Sequence, residues 1–307
     1  MDISVIFATY KRPKLLEETL NSFLSLHTED LTWEIVLVDN AGDRETEIVA
    51  QKYMDLLPIH YLTVTMRGKN NALNRAVSEA RGELFVFTDD DVVVEPNWLI
   101  EMWEGANRWP RNHVFGGRIL PKYPEGQVPP FDHPFFVGAF AIADFAIPEG
   151  IYPAHKVWGP NMAIRGILFK EGWKFNSAIG PDGSTTYVMG SETDLTNRLE
   201  QAGNPAVYLP KALVYHQIRR EQLDIDWLYG RAFRFGQSNS YKEKKSDISM
   251  CFGIPLHLIR KIIKAYLCIA LSLFNKDKKK IFDRQLFLWE TRGRIHWYRK
   301  VYSKIKS

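Results

Sequence analysis

Leu84-Phe85-Val86-Phe87-Thr88-Asp89-Asp90-Asp91 is an apolar run that closes on three successive carboxylates. A short apolar run bounded by charge reads as a strand buried on both faces, the kind that parallel sheets use. Runs of the same character lie at 3–8, 34–38, 59–65 and 114–119. Helix-like stretches alternate with them at 13–26, 43–54, 70–81 and 96–108, and Pro13 and Pro96 suit a first helical turn. Strands alternating with helices predict βαβ units: an α/β fold with a Rossmann-like, mostly parallel sheet flanked by helices. Ligands of such sheets bind outside the carboxyl ends of the strands. Polar residues gather there: Thr9-Tyr10-Lys11-Arg12-Pro13, Val38-Asp39-Asn40-Ala41-Gly42, Arg67-Gly68-Lys69-Asn70-Asn71-Ala72-Leu73-Asn74, and the acidic triplet itself.

The 307 residues, 45% hydrophobic and 13% aromatic with two cysteines, exclude a disordered chain, a collagen and a disulfide scaffold. Cys251 and Cys268 lie outside any metal or redox spacing and read as buried thiols of a reducing compartment. No uncharged apolar run is long enough to span a bilayer, and the start shows no export signal, so a cytoplasmic protein is expected. The net charge of +4 is unevenly spread: residues 251–307 carry +11 and the first 250 carry −7. An acidic body must handle anions by local devices, while the basic tail suits an anionic surface.

Three adjacent carboxylates repel one another, and a divalent cation relieves that repulsion. Mg²⁺ and Mn²⁺ bind through one or two carboxylates plus substrate phosphates. A solvated turn or a helix cap before Pro96 is the plainer use of the same residues. Asp39 can accept a hydrogen bond from a base or sugar, or shape a turn with Gly42. Arg12 and Lys69 can neutralise phosphate or stand as exposed helix-end charges, and Asn70 can be an N-cap. Residues 191–202 form a helical stretch with Ser191 as N-cap and Gly203 as its stop.

The order and spacing of these elements resemble the nucleotide-sugar-binding half of family 2 glycosyltransferases, which have the GT-A fold. The likeness rests on 5–13, Val38-Asp39-Asn40, Gly68-Lys69 with Ala72-Leu73-Asn74, and Asp89-Asp90-Asp91; Leu73 stands where many members have arginine. It implies that Thr9, Arg12 and Asp39 hold the base, Asp89 and Asp90 the ribose side, and Lys69 and Asn70 the anionic donor. It makes Asp91 the ligand of a Mn²⁺ or Mg²⁺ cofactor that bridges the diphosphate. Further on, Gly159-Pro160-Asn161-Met162-Ala163 is similar to the family's segment beneath the donor sugar, which adds Asn161 to the donor-binding set. Gly190-Ser191-Glu192 matches the place of the general base, giving Glu192 that role and leaving Ser191 in place of an acidic neighbour. An acceptor hydroxyl, a poor nucleophile at neutral pH, needs such a base. His216 stands where a histidine completes the metal site, and Arg219 and Arg220 where basic residues face the diphosphate. The implied reaction is an inverting single displacement from a nucleoside-diphosphate sugar to a glycan or lipid-linked acceptor, in glycan or polysaccharide assembly. The Gln-x-x-Arg-Trp motif of processive synthases is absent, which predicts one or a few sugars added per acceptor.

The expected organisation is a donor-binding half at 1–120, an acceptor-binding half at 121–222 and a helical basic tail at 223–307. In the tail His257, Arg260, Lys261 and Lys264 share one helix face, with Leu256, Ile259, Ile262, Ile263, Tyr266, Ala270 and Leu273 over much of the other. That pattern suits a helix lying on an anionic membrane at the inner face of the cell, and equally a helix packing on protein or on a second subunit. The later charges, including 276–280 and 292–306, favour the membrane. Nucleic acid is not expected, since no recognised motif accompanies the charge. Two other readings stay open: a nucleotidyltransferase that makes the activated sugar, and a non-catalytic scaffold that binds it.

Overall fold

The computed structural model describes residues 1–184, 186–243, 250–272 and 277–306. Leu273 and Lys276, counted above in the tail's apolar and basic runs, lie outside them. The chain divides into two compact units. The first holds Met1–Pro124, Phe136–Gly183 and Ser191–Ile218; the second holds Glu125–Phe135, Ser184–Gly190 and Arg219–Ser307.

In the first unit the elements run β1 (Ile3–Thr9), α1 (Pro13–Phe23), β2 (Trp33–Asp39), α2 (Arg44–Met54), β3 (Ile59–Thr63), α3 (Lys69–Glu79), β4 (Leu84–Phe87), β5 (Val92–Val94), α4 (Trp98–Arg108) and β6 (Val114–Lys122). After α5 (Phe135–Ala139) come β7 (Gly150–Tyr152), β8 (Met162–Arg165), α6 (Gly166–Lys170), α7 (Ser191–Gln201) and β9 (Ala206–Gln217). Among the described residues these strands form one nine-stranded sheet, ordered β3-β2-β1-β4-β8-β6-β9-β5 with β7 beside β9. The first four in that order are parallel, and β8 enters antiparallel to both β4 and β6. The middle of the chain, expected as an acceptor-binding half, thus supplies the strand at the sheet's centre.

Both faces of the sheet are apolar. Ile3, Val5, Phe7, Leu84 and Val86 point to one side, against Leu16, Leu20 and Phe23 of α1 and Trp98 and Met102 of α4. Ile6, Val36, Phe85 and Phe87 point to the other, against α3 and α7. Leu73, in the place of the family's arginine, is 2% exposed within this second layer, so its work is packing. Of the two prolines assigned to first turns, Pro13 opens α1, while Pro96 precedes α4 and its N-cap Asn97.

A buried carboxylate fastens the entry edge of the sheet. Glu34, 2% exposed, accepts from the Ser4 hydroxyl (2.7 Å), the Arg81 backbone N–H (2.8 Å) and the Arg81 guanidinium (2.9 and 2.5 Å). Burial pushes its pKa up, but the hydrogen bonds from Arg81 and Ser4 outweigh that and hold it below the ordinary 4.5. A depressed folded-state pKa contributes stability that is complete above the unfolded value and lost as pH falls through the folded one. Glu34→Gln is therefore expected to cost about 2 kcal/mol at pH 7, and to flatten the loss of stability below about pH 4.5. Urea titrations at pH 7 and pH 4 measure both.

The second unit is helical: α8 (Ile225–Lys242), a two-stranded hairpin β10 (Met250–Cys251) and β11 (Ile254–Pro255), α9 (Leu256–Ser272) and α10 (Lys278–Lys306). Pairs between α8 and α10 advance together along both helices, from Tyr229–Trp289 through Asn239–Glu290 to Tyr241–Trp297, so the two run in the same direction. They cross where neither carries a side chain. A Cβ at Gly236 would meet the Glu290 carbonyl oxygen at 2.0 Å, and one at Gly293 the Phe233 carbonyl oxygen at 1.9 Å. Cys251 and Cys268 are both half-buried. No described helix is long and apolar enough to cross a membrane.

Candidate functional site

Register sets the strand ends level. Thr9 pairs with Asp39 and Asp39 with Thr63, so β1, β2 and β3 stop along one rim. β4 stops beside them and delivers Asp89-Asp90-Asp91, after which the chain continues as β5, antiparallel to the end of β9. Val92 lies opposite His216, and the Gln217 N–H donates to the Asp91 carbonyl (2.8 Å). A strand pairing thus brings His216 to Asp91.

The acidic triplet is divided among different partners. Asp90, 5% exposed, accepts from the Thr9 hydroxyl (2.7 Å) and from Arg12 Nη1 (3.3 Å). Burial is the main cause that raises its pKa to about 6; Arg12 opposes this and Asp91 adds to it. Arg12 also reaches Asp91 Oδ2 (3.4 Å), and the triplet's charge keeps the guanidinium firmly ionised against its partial desolvation. Asp89 Oδ1 pairs with Lys69 Nζ at 2.6 Å.

Lys69 joins two distant parts of the chain. Its ammonium also donates to Glu192 Oε1 at 2.9 Å, across 123 positions of sequence. Burial opposes the lysine's charge, yet the two carboxylates outweigh it and raise its pKa. Burial likewise pushes Glu192 up, but Lys69 together with the Ser191 hydroxyl on Oε2 (2.8 Å) leaves it lowered, hence ionised. Ser191 is the first residue of α7, and its hydroxyl serves Glu192 where an N-cap was expected. Gly203, with φ of +89°, ends that helix as read. One residue the sequence reading left without a role is Gly159. A Cβ there would stand 2.7 Å from Glu192 Oε1, so the missing side chain is what admits the carboxylate.

The Asp91–His216 pair fits a divalent cation by its donor chemistry. His216 is 8% exposed, and its Nδ1 lies 2.6 Å from the Phe140 carbonyl, which obliges Nδ1 to carry a proton and donate it. Nε2 then presents its lone pair to Asp91 Oδ1 at 3.4 Å. Two lone pairs face to face need a cation, either a proton or a metal. Burial resists protonation, but Asp91 outweighs it and raises the imidazole pKa. A ring N–H tied to a carbonyl with the other nitrogen free is the usual support of a histidine ligand. Among the described residues no group of three or more His, Cys, Asp or Glu could cage a metal by itself. A two-residue set suits an ion that completes its coordination with water and phosphate oxygens.

Three of the residues expected to bind the donor also hold the fold. Asn161 is fully buried; its amide donates to the Arg118 and Ala212 carbonyls (both 2.8 Å) and accepts from Trp98 Nε1 (2.9 Å). Those bonds close the irregularity where the β6–β9 register shifts after Gly117, so the Asn161 side chain holds the sheet together at this point. Asn70, 1% exposed, lies inside α3, whose N-cap is Gly68. It donates to the Asn176 and Ile179 carbonyls (2.8 and 3.0 Å) and ties down the segment before α7. Asp39 is fully buried and accepts from the Ala41 and Asp43 N–H groups (2.8 and 2.7 Å) and the Tyr61 hydroxyl (3.0 Å). It shapes the loop that forms this part of the rim. The first unit therefore brings together Thr9, Arg12, Lys69, Asp89, Asp90, Asp91, Glu192 and His216. Arg219 and Arg220 open the second unit, where Arg219 Nε pairs with Glu221 (2.6 Å) and Arg220 lines a cavity of about 640 Å³.

Comparison with known proteins identifies the family and the fold. Residues 4–165 match the profile of Glycosyl transferase family 2. The succinoglycan biosynthesis protein ExoM of Rhizobium meliloti is 21% identical over 83% of this chain and 80% of its own length. A poly(ribitol-phosphate) beta-N-acetylglucosaminyltransferase, TarS of Staphylococcus aureus, is 31% identical over 32% of this chain, a match spanning only 18% of that longer protein. The structure of S. aureus TarS 1-349 in complex with UDP-GlcNAc superposes with a TM-score of 0.57 at 16% identity, covering 100% of this chain and 92% of that one. The mannosyltransferase PcManGT from Pyrobaculum calidifontis, in complex with GDP-Man and Mn²⁺, superposes with a TM-score of 0.60 at 17% identity, covering 96% and 87%. These likenesses fix the fold as GT-A. The family match covers more than half of the chain and decides between sugar transfer and nucleotidyl transfer. The chain belongs to glycosyl transferase family 2 and is a glycosyltransferase.

Proposed function

We propose that the enzyme moves a sugar from a nucleoside-diphosphate donor to an acceptor hydroxyl by a metal-dependent, inverting single displacement, with Glu192 as the general base. The observation that carries this reading is the Asp89–Lys69–Glu192 relay beside the Asp91–His216 pair. It sets an ionised carboxylate near a site built for a cation and a diphosphate. Glu192, kept ionised by Lys69 and oriented by Ser191 and the missing side chain of Gly159, takes the acceptor's proton as the hydroxyl attacks. Lys69 shares its charge between two carboxylates and can lend it to a donor phosphate. Arg12 and Thr9 hold Asp90 at the ribose side, and the loop shaped by Asp39 borders the base. Asp91 and His216 would hold the divalent cation, which supplies positive charge against the negative charge growing on the leaving diphosphate. The complexes of neighbouring folds with UDP-GlcNAc and GDP-Man support a nucleotide-sugar donor, and the succinoglycan and poly(ribitol-phosphate) relatives support an acceptor in glycan assembly.

A thermal-shift panel of nucleotide-sugars tests the reading. With Mn²⁺ present, one nucleotide-sugar is expected to raise the melting temperature by several degrees, and the same compound without the metal much less. A flat panel under both conditions would contradict the donor assignment.

A further inference from the structure

The second unit carries a surface that the transfer chemistry does not use. Its hairpin turns through Phe252-Gly253, with φ of +49° and +74°. Two successive residues of positive φ suit Asn-Gly or Gly-Gly; a phenylalanine in the first position costs about 1–2 kcal/mol of local strain. Phe252 gains no packing in return, for it is 92% exposed. Around it Met250 is 46% and Leu256 41% exposed.

The following helix, α9, has three strips. Leu258 and Ala265 are buried, and Leu258 packs with Ile254, Ile295 and Tyr298, which accounts for the inner side. At 100° per residue, Leu256, Ile263 and Leu267 fall on one outward strip with Tyr266 at its border. Ile263, Tyr266 and Leu267 are 56%, 50% and 62% exposed. His257, Arg260, Lys261 and Lys264 form a second outward strip directly alongside, all exposed. The apolar residues expected on one face thus divide between a packed strip and an open one, so packing on protein and contact with a surface are both served by the same helix.

We propose that Phe252 and the open strip of α9 insert into the interface of an anionic membrane, with the basic strip at the level of the head groups. Exposed aromatic and aliphatic side chains flanked by cations on one helix are what such an interface takes up. Each cation adds about 1 kcal/mol near an anionic lipid surface. A second copy of this chain is the poorer occupant, because it would bring the cations Arg260, Lys261 and Lys264 of its own to the same patch. The proposal rests on the second unit alone, so it stands or falls apart from the transfer chemistry.

Co-sedimentation of the full chain with phosphatidylcholine vesicles, with and without phosphatidylglycerol, tests it, and needs neither donor nor metal. Binding is expected only to the phosphatidylglycerol vesicles, weakening at least tenfold between 50 and 300 mM salt. Phe252→Ser with Leu267→Ser, both on exposed side chains, should cut binding at least tenfold at unchanged melting temperature. Arg260→Glu with Lys264→Glu should remove the preference for anionic lipid. Equal binding by all variants would overturn the proposal. So would an absence of vesicle binding, including the case where the serine pair turns a dimer into a monomer by light scattering.

Discussion

Glu192→Gln is expected to lower the transfer rate about 10³-fold, within the range that a positioned general base contributes, while donor affinity changes less than about threefold. The substitution is almost isosteric and leaves Lys69 paired with Asp89 at 2.6 Å, so the fold should hold. What it removes is the capacity to take a proton, since an amide oxygen is a far weaker base than a carboxylate. Glu192→Asp supplies the second half of the argument. It keeps the chemistry but withdraws the carboxylate by one methylene from Lys69 and from the space left by Gly159. A displacement of about 1 Å at a reacting group costs on the order of 10²-fold. Steady-state transfer assays combined with donor titration separate the rate from the affinity. Full turnover by Glu192→Gln would remove Glu192 from the chemistry.

Asp91→Asn is expected to lower turnover at least 10²-fold and to abolish its response to added Mn²⁺, because a neutral amide is a poor ligand for a hard cation. The same change should not weaken the fold. Asp91 is one of the charges that push Asp90 up to about 6, so the repulsion relieved offsets the lost pairing with Arg12 and His216. Activity lost at equal or higher melting temperature is the pattern of a site whose strain serves function. Chelation of the wild-type enzyme should reproduce the loss reversibly. Activity that survives both treatments would leave Asp91 and His216 as a structural ion pair.

The fold of the first 120 residues was legible in the sequence because its two periodicities contrast: apolar runs of four to seven residues, then helical spacing, then polar strand ends. β8 was not legible, since Met162-Ala163-Ile164-Arg165 is four residues long and stands among loops. Its place between β4 and β6 follows only from pairing. Asn161 shows the limit of reading residue types. Its position matched a donor-binding segment, yet the register shift after Gly117 draws its amide into the sheet. The Lys69–Glu192 pair was equally hidden, because no spacing rule joins residues 123 positions apart. In the tail the basic face of α9 was plain. That its apolar residues serve two different faces depends on α10, whose partners the helical period alone does not reveal.

The most direct test of the central claim is an experimental structure with a nucleoside-diphosphate sugar and Mn²⁺ bound. The ion is expected on Asp91 and His216 Nε2, the diphosphate on that ion, and Glu192 facing the anomeric carbon from the side opposite the leaving group. A diphosphate bound away from the ends of β1, β2 and β4, or an Asp91 carboxylate with no ion beside it, would contradict the account.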